Sequence, residues 1–331
     1  MVREFGSLDV RPYQLVHIVS RIGEGRTEDL GDPRLNAIWR AVRENPARPL
    51  TLRCNASSTY AYQNPGPEED TPEGDLFNVR RDLKILQRMG LVPGSTRPAI
   101  DLLALLLRKV ETDKDICWFE EVTSETWKGE PRDSCHYEAG RALGLGAIVA
   151  PRATAEMAGA KRESAKAMYE AGVLQIRPHH AMCMTCFLGG REELAPIEED
   201  NLFEAIDIIQ KDPEIPIRLI CGPCMICPPC PSLDPGSGLC IGGCGMSLRD
   251  ELKDLDVLQR LGLRYGDVLP AREYFARLYE RIPSSRDICG HGDGVERSPE
   301  WRVCGGPDGD PRYVKGRAAG LGFLDPTPWA D

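Results

Sequence analysis

Along 198–210 (EEDNLFEAIDIIQ) apolar residues fall at 202, 205, 206 and 209, the period of a helix with one buried face. The stretch 247–263 (SLRDELKDLDVLQRLGL) predicts another. Ser247 with Asp250 three residues on opens it, positions 248, 252, 255, 258 and 261 make its apolar face, and Gly262 closes it. Residues 271–282 (AREYFARLYERI) and 154–172 (TAEMAGAKRESAKAMYEAG) read as further helices. A short one starts in RPHHAMCMTCF, with Pro178 in its first turn. IPIRLIC at 215–221 alternates and is β-branched, so it predicts a strand. From there to about 246 no period holds, and a long loop is expected.

The same pattern occurs twice. VRPYQLVH at 10–17 matches IRPHHAMC at 176–183, and PLTLRC at 49–54 matches PIRLIC at 216–221. DLKILQRMGL at 82–91 matches DLDVLQRLGL at 254–263, DIC at 115–117 matches DIC at 287–289, and GRALGLG at 140–146 matches GRAAGLG at 316–322. Five matches in one order identify a tandem duplication. Each copy predicts helix, helix, strand, long loop, helix, helix and an irregular tail. The expected fold is mostly α (α+β), with residues 1–150 as a degenerate copy, 151–175 as a helical linker and 176–331 as a cysteine-rich copy. Two such copies are expected to pair about a pseudo-twofold axis, as homodimers do.

The copies differ in chemistry. His17 stands where the second copy has Cys183, and Tyr13 and Gln14 replace His179 and His180. Of the run CGPCMICPPCP the first copy keeps only Cys54, and Cys117 holds the position of Cys289. The first copy is therefore expected to be a scaffold, unless Cys54, Cys117, Cys135 or His17 reaches across to the other copy's site. Asp254 is matched by Asp82 and is expected to anchor both copies.

A formal charge of −10 with no basic stripe argues against nucleic acid and anionic membrane as partners. The longest apolar-rich run, 99–110, is too short to span a bilayer, and the opening residues hold no apolar core of signal length. A cytoplasmic location is expected. In a reducing compartment, 13 cysteines, ten of them after residue 180, point to metal or cluster binding ahead of disulfides. C-x2-C-x2-C-x2-C-P at 221–231 is close to the ferredoxin run. Cys183 and Cys186 form another C-x2-C, Cys240 and Cys244 follow in a glycine-rich stretch, and Cys289 and Cys304 lie in the tail. Together with Cys221, Cys224, Cys227 and Cys230 these ten thiols suffice for one or two [4Fe–4S] clusters, while two C-x2-C pairs would satisfy one zinc ion.

RPHHAMC, a strand leading to CPPCP, a single cysteine, DLDVLQRLGL and a late DIC resemble the domain of unknown function 1284 family over about residues 175–290. The resemblance implies iron–sulfur binding and no known reaction. It points to Cys183, Cys227, Cys230, Cys240 and Cys289, with His179 and His180; Cys183, Cys227, Cys230 and Cys240 are the leading four ligands. The family's final C-x2-C is CGHG here, which moves that ligand to His291 or Cys304 or removes it. Cys186, Cys221, Cys224 and Cys244 are additions able to build a second cluster.

His179 and His180 precede Cys183 by about one helical turn, so they are candidates for a structural hydrogen bond, acid–base catalysis or direct ligation. Arg177 is a candidate hydrogen-bond donor to an anionic cluster. The expected function is a cytosolic iron–sulfur protein with one or two [4Fe–4S] clusters in its C-terminal half, serving electron transfer with a redox partner protein or a small molecule. Two alternatives stay open. An iron–sulfur enzyme would use an open iron as Lewis acid, with His179 or His180 moving the proton. A zinc-stapled interaction module would be colourless.

Overall fold

Alternating Leu8 and Val10 lie beside Leu50 and Leu52, and this pairing starts the first unit. In the computed structural model, β1 (Leu8–Val10) pairs in parallel with β2 (Pro49–Leu52), with Leu8 opposite Leu50 and Val10 opposite Leu52. β3 (Thr96–Pro98) adds antiparallel on the other side of β2. Helices α1 (Pro12–Gly23), α2 (Pro33–Glu44), α3 (Asp75–Met89), α4 (Ala99–Lys109), α5 (Tyr137–Leu143) and α6 (Leu145–Ile148) complete it. Pro12 sets the first turn of α1, and Asp32 caps α2 by accepting from the Arg34 amide. The structure describes residues 6–54, 75–118, 135–149, 152–236, 238–241, 247–289 and 309–325.

The chain divides into two compact units, Met1–Pro151 and Arg152–Asp331. The second repeats the plan of the first. After α7 (Thr154–Tyr169) come β4 (Leu174–Ile176), α8 (His180–Gly189), α9 (Leu202–Lys211) and β5 (Pro216–Leu219). The hairpin strands β6 (Leu233–Asp234) and β7 (Leu239–Cys240), α10 (Leu248–Leu261), β8 (Val268–Pro270), α11 (Ala271–Arg281), α12 (Arg286–Cys289) and α13 (Asp310–Ala318) follow. β4 is parallel to β5 and β8 antiparallel, with Leu174 opposite Ile217 and Ile176 opposite Leu219. The fold is thus mostly helical with small sheets of two or three strands. Among the described residues no helix is long and apolar enough to cross a membrane.

Three devices recur in both units. The first is a buried ion pair. Arg11 Nη2 meets Asp82 Oδ2 at 2.6 Å, and Arg177 Nη2 meets Asp254 Oδ2 at 2.7 Å. The other oxygen of each carboxylate accepts a backbone amide, from Tyr13 at 3.0 Å and from His179 at 2.9 Å. The anchor expected at Asp82 and Asp254 is therefore a fully satisfied carboxylate joining a strand end to a helix.

The second device is a glycine crossing. A Cβ on Gly140 would stand 1.9 Å from the Val19 carbonyl oxygen, and one on Gly316 would stand 2.1 Å from that of Thr185. Only hydrogen lets α5 meet α1, and α13 meet α8, at backbone contact. This packing explains the first glycine of each glycine-rich repeat, while Gly144 and Gly320 supply a positive φ. Arg141 and Arg317, which follow the two glycines, donate to the carbonyls of Leu107 and Tyr279.

The third device is a buried tyrosine: Tyr137 donates to Val110 O and Tyr313 to Ile282 O. Tyr313→Phe is expected to lose about 1–2 kcal/mol in urea unfolding, because the Ile282 carbonyl is left unpaired.

Three expectations change. The tail contains a helix, α13. The short strands β1, β3, β4 and β8 flank the single strand expected in each copy. And α10 turns its pattern outward at one end: Leu248, Leu252 and Leu255 are 60%, 51% and 50% exposed in the order 248, 255, 252, whereas Arg249, Lys253 and Asp254 are buried. The ion pair of Asp254 fixes that rotation. Ser247 makes no side-chain capping bond.

Candidate metal centre

β4 ends at Ile176, and Arg177 then turns inward to Asp254, with a further contact to Glu251 at 3.2 Å. Tyr274 donates to the Pro178 carbonyl at 2.8 Å. These bonds fix the start of α8. His179 is locked there, with Nδ1 2.8 Å from Asp254 Oδ1 and Nε2 3.9 Å from Asp250. Burial drives its pKa down to about 4 against the pull of Asp254. The ring is therefore neutral near pH 7, and its Nδ1–H donates to the carboxylate.

His180 points elsewhere. Its Nδ1 lies 3.1 Å from Cys224 Sγ. The loop that brings Cys224 there is a chain of tight turns, because the amides of Cys227, Cys230 and Leu233 donate to the carbonyls of Cys224, Cys227 and Cys230. Gly222 supplies the positive φ that starts it. The loop is held from outside by Met225 N to Gln175 O, by Asn201 Nδ2 to Met225 O, and by Arg152 Nη1 to the carbonyls of Pro228 and Cys230.

Cys224 Sγ and Cys227 Sγ are 4.0 Å apart, and the donor atoms of His180, Cys224 and Cys227 all lie within 4.8 Å of one another. Burial disfavours a Cys224 thiolate, but the Cys227 thiol, the His180 ring and the Arg177 backbone amide outweigh it and hold its pKa well below the ordinary thiol range. Cys227 goes the opposite way, raised first by its hydrogen bond to Cys224 and then by burial. Of the two, Cys224 is the readier to lose its proton. A cation placed among the three donors would favour both sulfurs as thiolates and release thiol protons.

Among the described residues the other sequence candidates are not in this three-donor group. Cys183, one turn along α8 from His180, is half-buried against the core. Cys186 is buried in the core and Cys289 packs half-buried against it. Cys221 is exposed and faces Glu251 Oε2 at 3.4 Å. Cys230 Sγ accepts from the Ser232 amide at 3.4 Å. Cys240 sits on β7 opposite Leu233. Cys244, His291 and Cys304 lie outside the described residues. Of the leading four, only Cys227 is in the three-donor group; His180 and Cys224 complete it.

In the first unit the position of Cys183 is filled differently. His17 Nε2 faces Arg81 Nη1 at 3.4 Å, and the Arg81 guanidinium lies 3.8 Å from the centre of the Tyr13 ring. Burial and then Arg81 push the His17 pKa well below its ordinary value. A guanidinium and an aromatic ring take up this corner, where a second cation would be repelled. Among the described residues one further group brings three donors within 4.8 Å: Asp113, Cys117 and Cys135. Comparison with protein-family models, curated proteins and solved structures finds no match.

Proposed function

We propose that residues 152–331 form a metal-binding module in which one ion is held by His180 Nδ1 and by the sulfurs of Cys224 and Cys227. The observation that carries this reading is the convergence of the three donors on one point. Zinc–sulfur bonds of about 2.3 Å at a tetrahedral angle set two thiolates roughly 3.8 Å apart. The 4.0 Å between Cys224 and Cys227 fits that spacing. One imidazole and two thiolates suit a borderline-soft dication such as zinc or ferrous iron. The fourth position is open to Cys230 or to an outside ligand.

A second reading is one or two [4Fe–4S] clusters serving electron transfer to a redox partner protein or a small molecule. Cys224, Cys227 and Cys230 on consecutive turns, with Cys221 three residues before them, support it. It requires the Cys224 and Cys227 sulfurs to move apart, because each would take its own iron. An open iron used as a Lewis acid would rely on His180 for proton transfer, since His179 is committed to Asp254.

Anaerobic purification with metal and sulfide analysis tests these readings. Cys224→Ser with Cys227→Ser is expected to lower bound metal by about one ion per chain, with no acid-labile sulfide in the parent protein. About four irons and four sulfides lost together would replace the single ion with a cluster. Unchanged metal would remove this loop as a ligand source.

A further inference from the structure

We propose that the first unit carries its own metal site, in which Asp113, Cys117 and Cys135 hold one zinc-class dication. Their donor atoms lie within 4.8 Å of one another. The site is built from two parts of the chain. The Asp113 carbonyl accepts the amides of Ile116 at 3.0 Å and Cys117 at 2.9 Å, a single turn that sets carboxylate and thiol close together. Arg88 grips this turn through the carbonyls of Thr112 and Lys114, at 2.7 and 2.9 Å.

Cys135 comes from just before α5. Its sulfur lies 3.6 Å from Ser20 Oγ, which in turn accepts the His136 amide at 3.0 Å. Cys117 is fully buried, Asp113 is 5% exposed and Cys135 is half-buried. The donors are therefore sheltered, with access on the Cys135 side. Two thiolates and a carboxylate match a borderline-soft dication, and both thiol protons pass to solvent as it binds.

The set is not a remnant of the second unit's centre. The repeat aligns Asp113 with Ser285, Cys117 with Cys289 and Ser20 with Cys186. In the second unit Asp310 accepts from Ser285 at this place. The first unit lacks the cysteine run but gathers two thiols around a carboxylate of its own.

Two measurements on the full chain test the site with zinc as the probe. Starting from the Cys224→Ser, Cys227→Ser variant, the chain is expected to retain about one zinc, which the further changes Cys117→Ser and Cys135→Ser remove. Retained zinc after those changes, or none before them, would overturn the proposal. Should the quadruple variant fail to fold, the parent chain gives the answer by alkylation and peptide mapping. Zinc is expected to slow modification of Cys135 tenfold or more, and a chelator to restore it. An equal rate with and without zinc, or a Cys117–Cys135 disulfide in both samples, would overturn the site. Failure here leaves the His180 centre untouched, because that centre is read from different residues.

Discussion

Asp254→Ala is expected to lower stability by about 3–5 kcal/mol in urea unfolding. The substitution takes from Arg177, which is 1% exposed, its buried carboxylate partner and leaves it the partly exposed Glu251. It also removes the acceptor for the His179 amide and ring. Asp254→Asn keeps the shape and some of the hydrogen bonds, so it should cost less. Loss of the anchor also loosens the first turn of α8, where His180 sits. Metal affinity at the His180 centre should therefore fall about 10–100-fold, as for other residues that orient a ligand. A large stability loss with unchanged metal affinity would separate the anchor from the site. Asp82→Ala is the matched control, since it breaks the equivalent pair in the unit that lacks this centre.

Gly316→Ala should cost about 3 kcal/mol or more, large for one added methyl group. The new carbon would stand 2.1 Å from the Thr185 oxygen and 2.9 Å from its carbonyl carbon. Both are backbone atoms of α8, so no side-chain rotation relieves the clash. The helices must separate, and Tyr313 is drawn off the Ile282 carbonyl with them. Gly172, with open space around it, is the comparison. Gly172→Ala should change stability by no more than about 0.5 kcal/mol. Thermal unfolding of the two variants side by side measures the difference.

Much of the architecture was legible in the sequence because duplication prints the same pattern twice. The helices at 202–211 and 271–281, the strand at 216–219 and the anchor pair Asp82 and Asp254 follow from periodicity or from the repeat. The strands beside β5 did not. They are three residues long, and β8 ends in proline, so alternation has no room to show. The face of α10 was misread for a different reason. Apolar spacing assumes that apolar residues point inward, but a buried carboxylate fixes the helix rotation here and sends Leu248, Leu252 and Leu255 outward. The first unit repeats this, with Leu76 and Leu83 at the matching positions also exposed.

The cysteine run told what kind of chemistry to expect, but not which residues meet. Bringing His180 to Cys224 depends on a helix start fixed by Arg177 and a loop fixed by Gln175, Asn201 and Arg152. These are long-range contacts, and no local pattern encodes them. Asp113 was missed because a lone aspartate before DIC carries no ligand spacing. Only the approach of Cys135 across the unit marks it.

The crossing of α8 and α13 also sets an order of events during synthesis. The ribosome releases His180 and the cysteine run well before Gly316, the residue that lets α13 lie against the back of α8. A growing chain therefore carries its thiols while the helix that backs α8 is still unmade. An ion bound at the proposed His180 centre at that stage would meet a looser grip, and the grip would tighten when Gly316 docks.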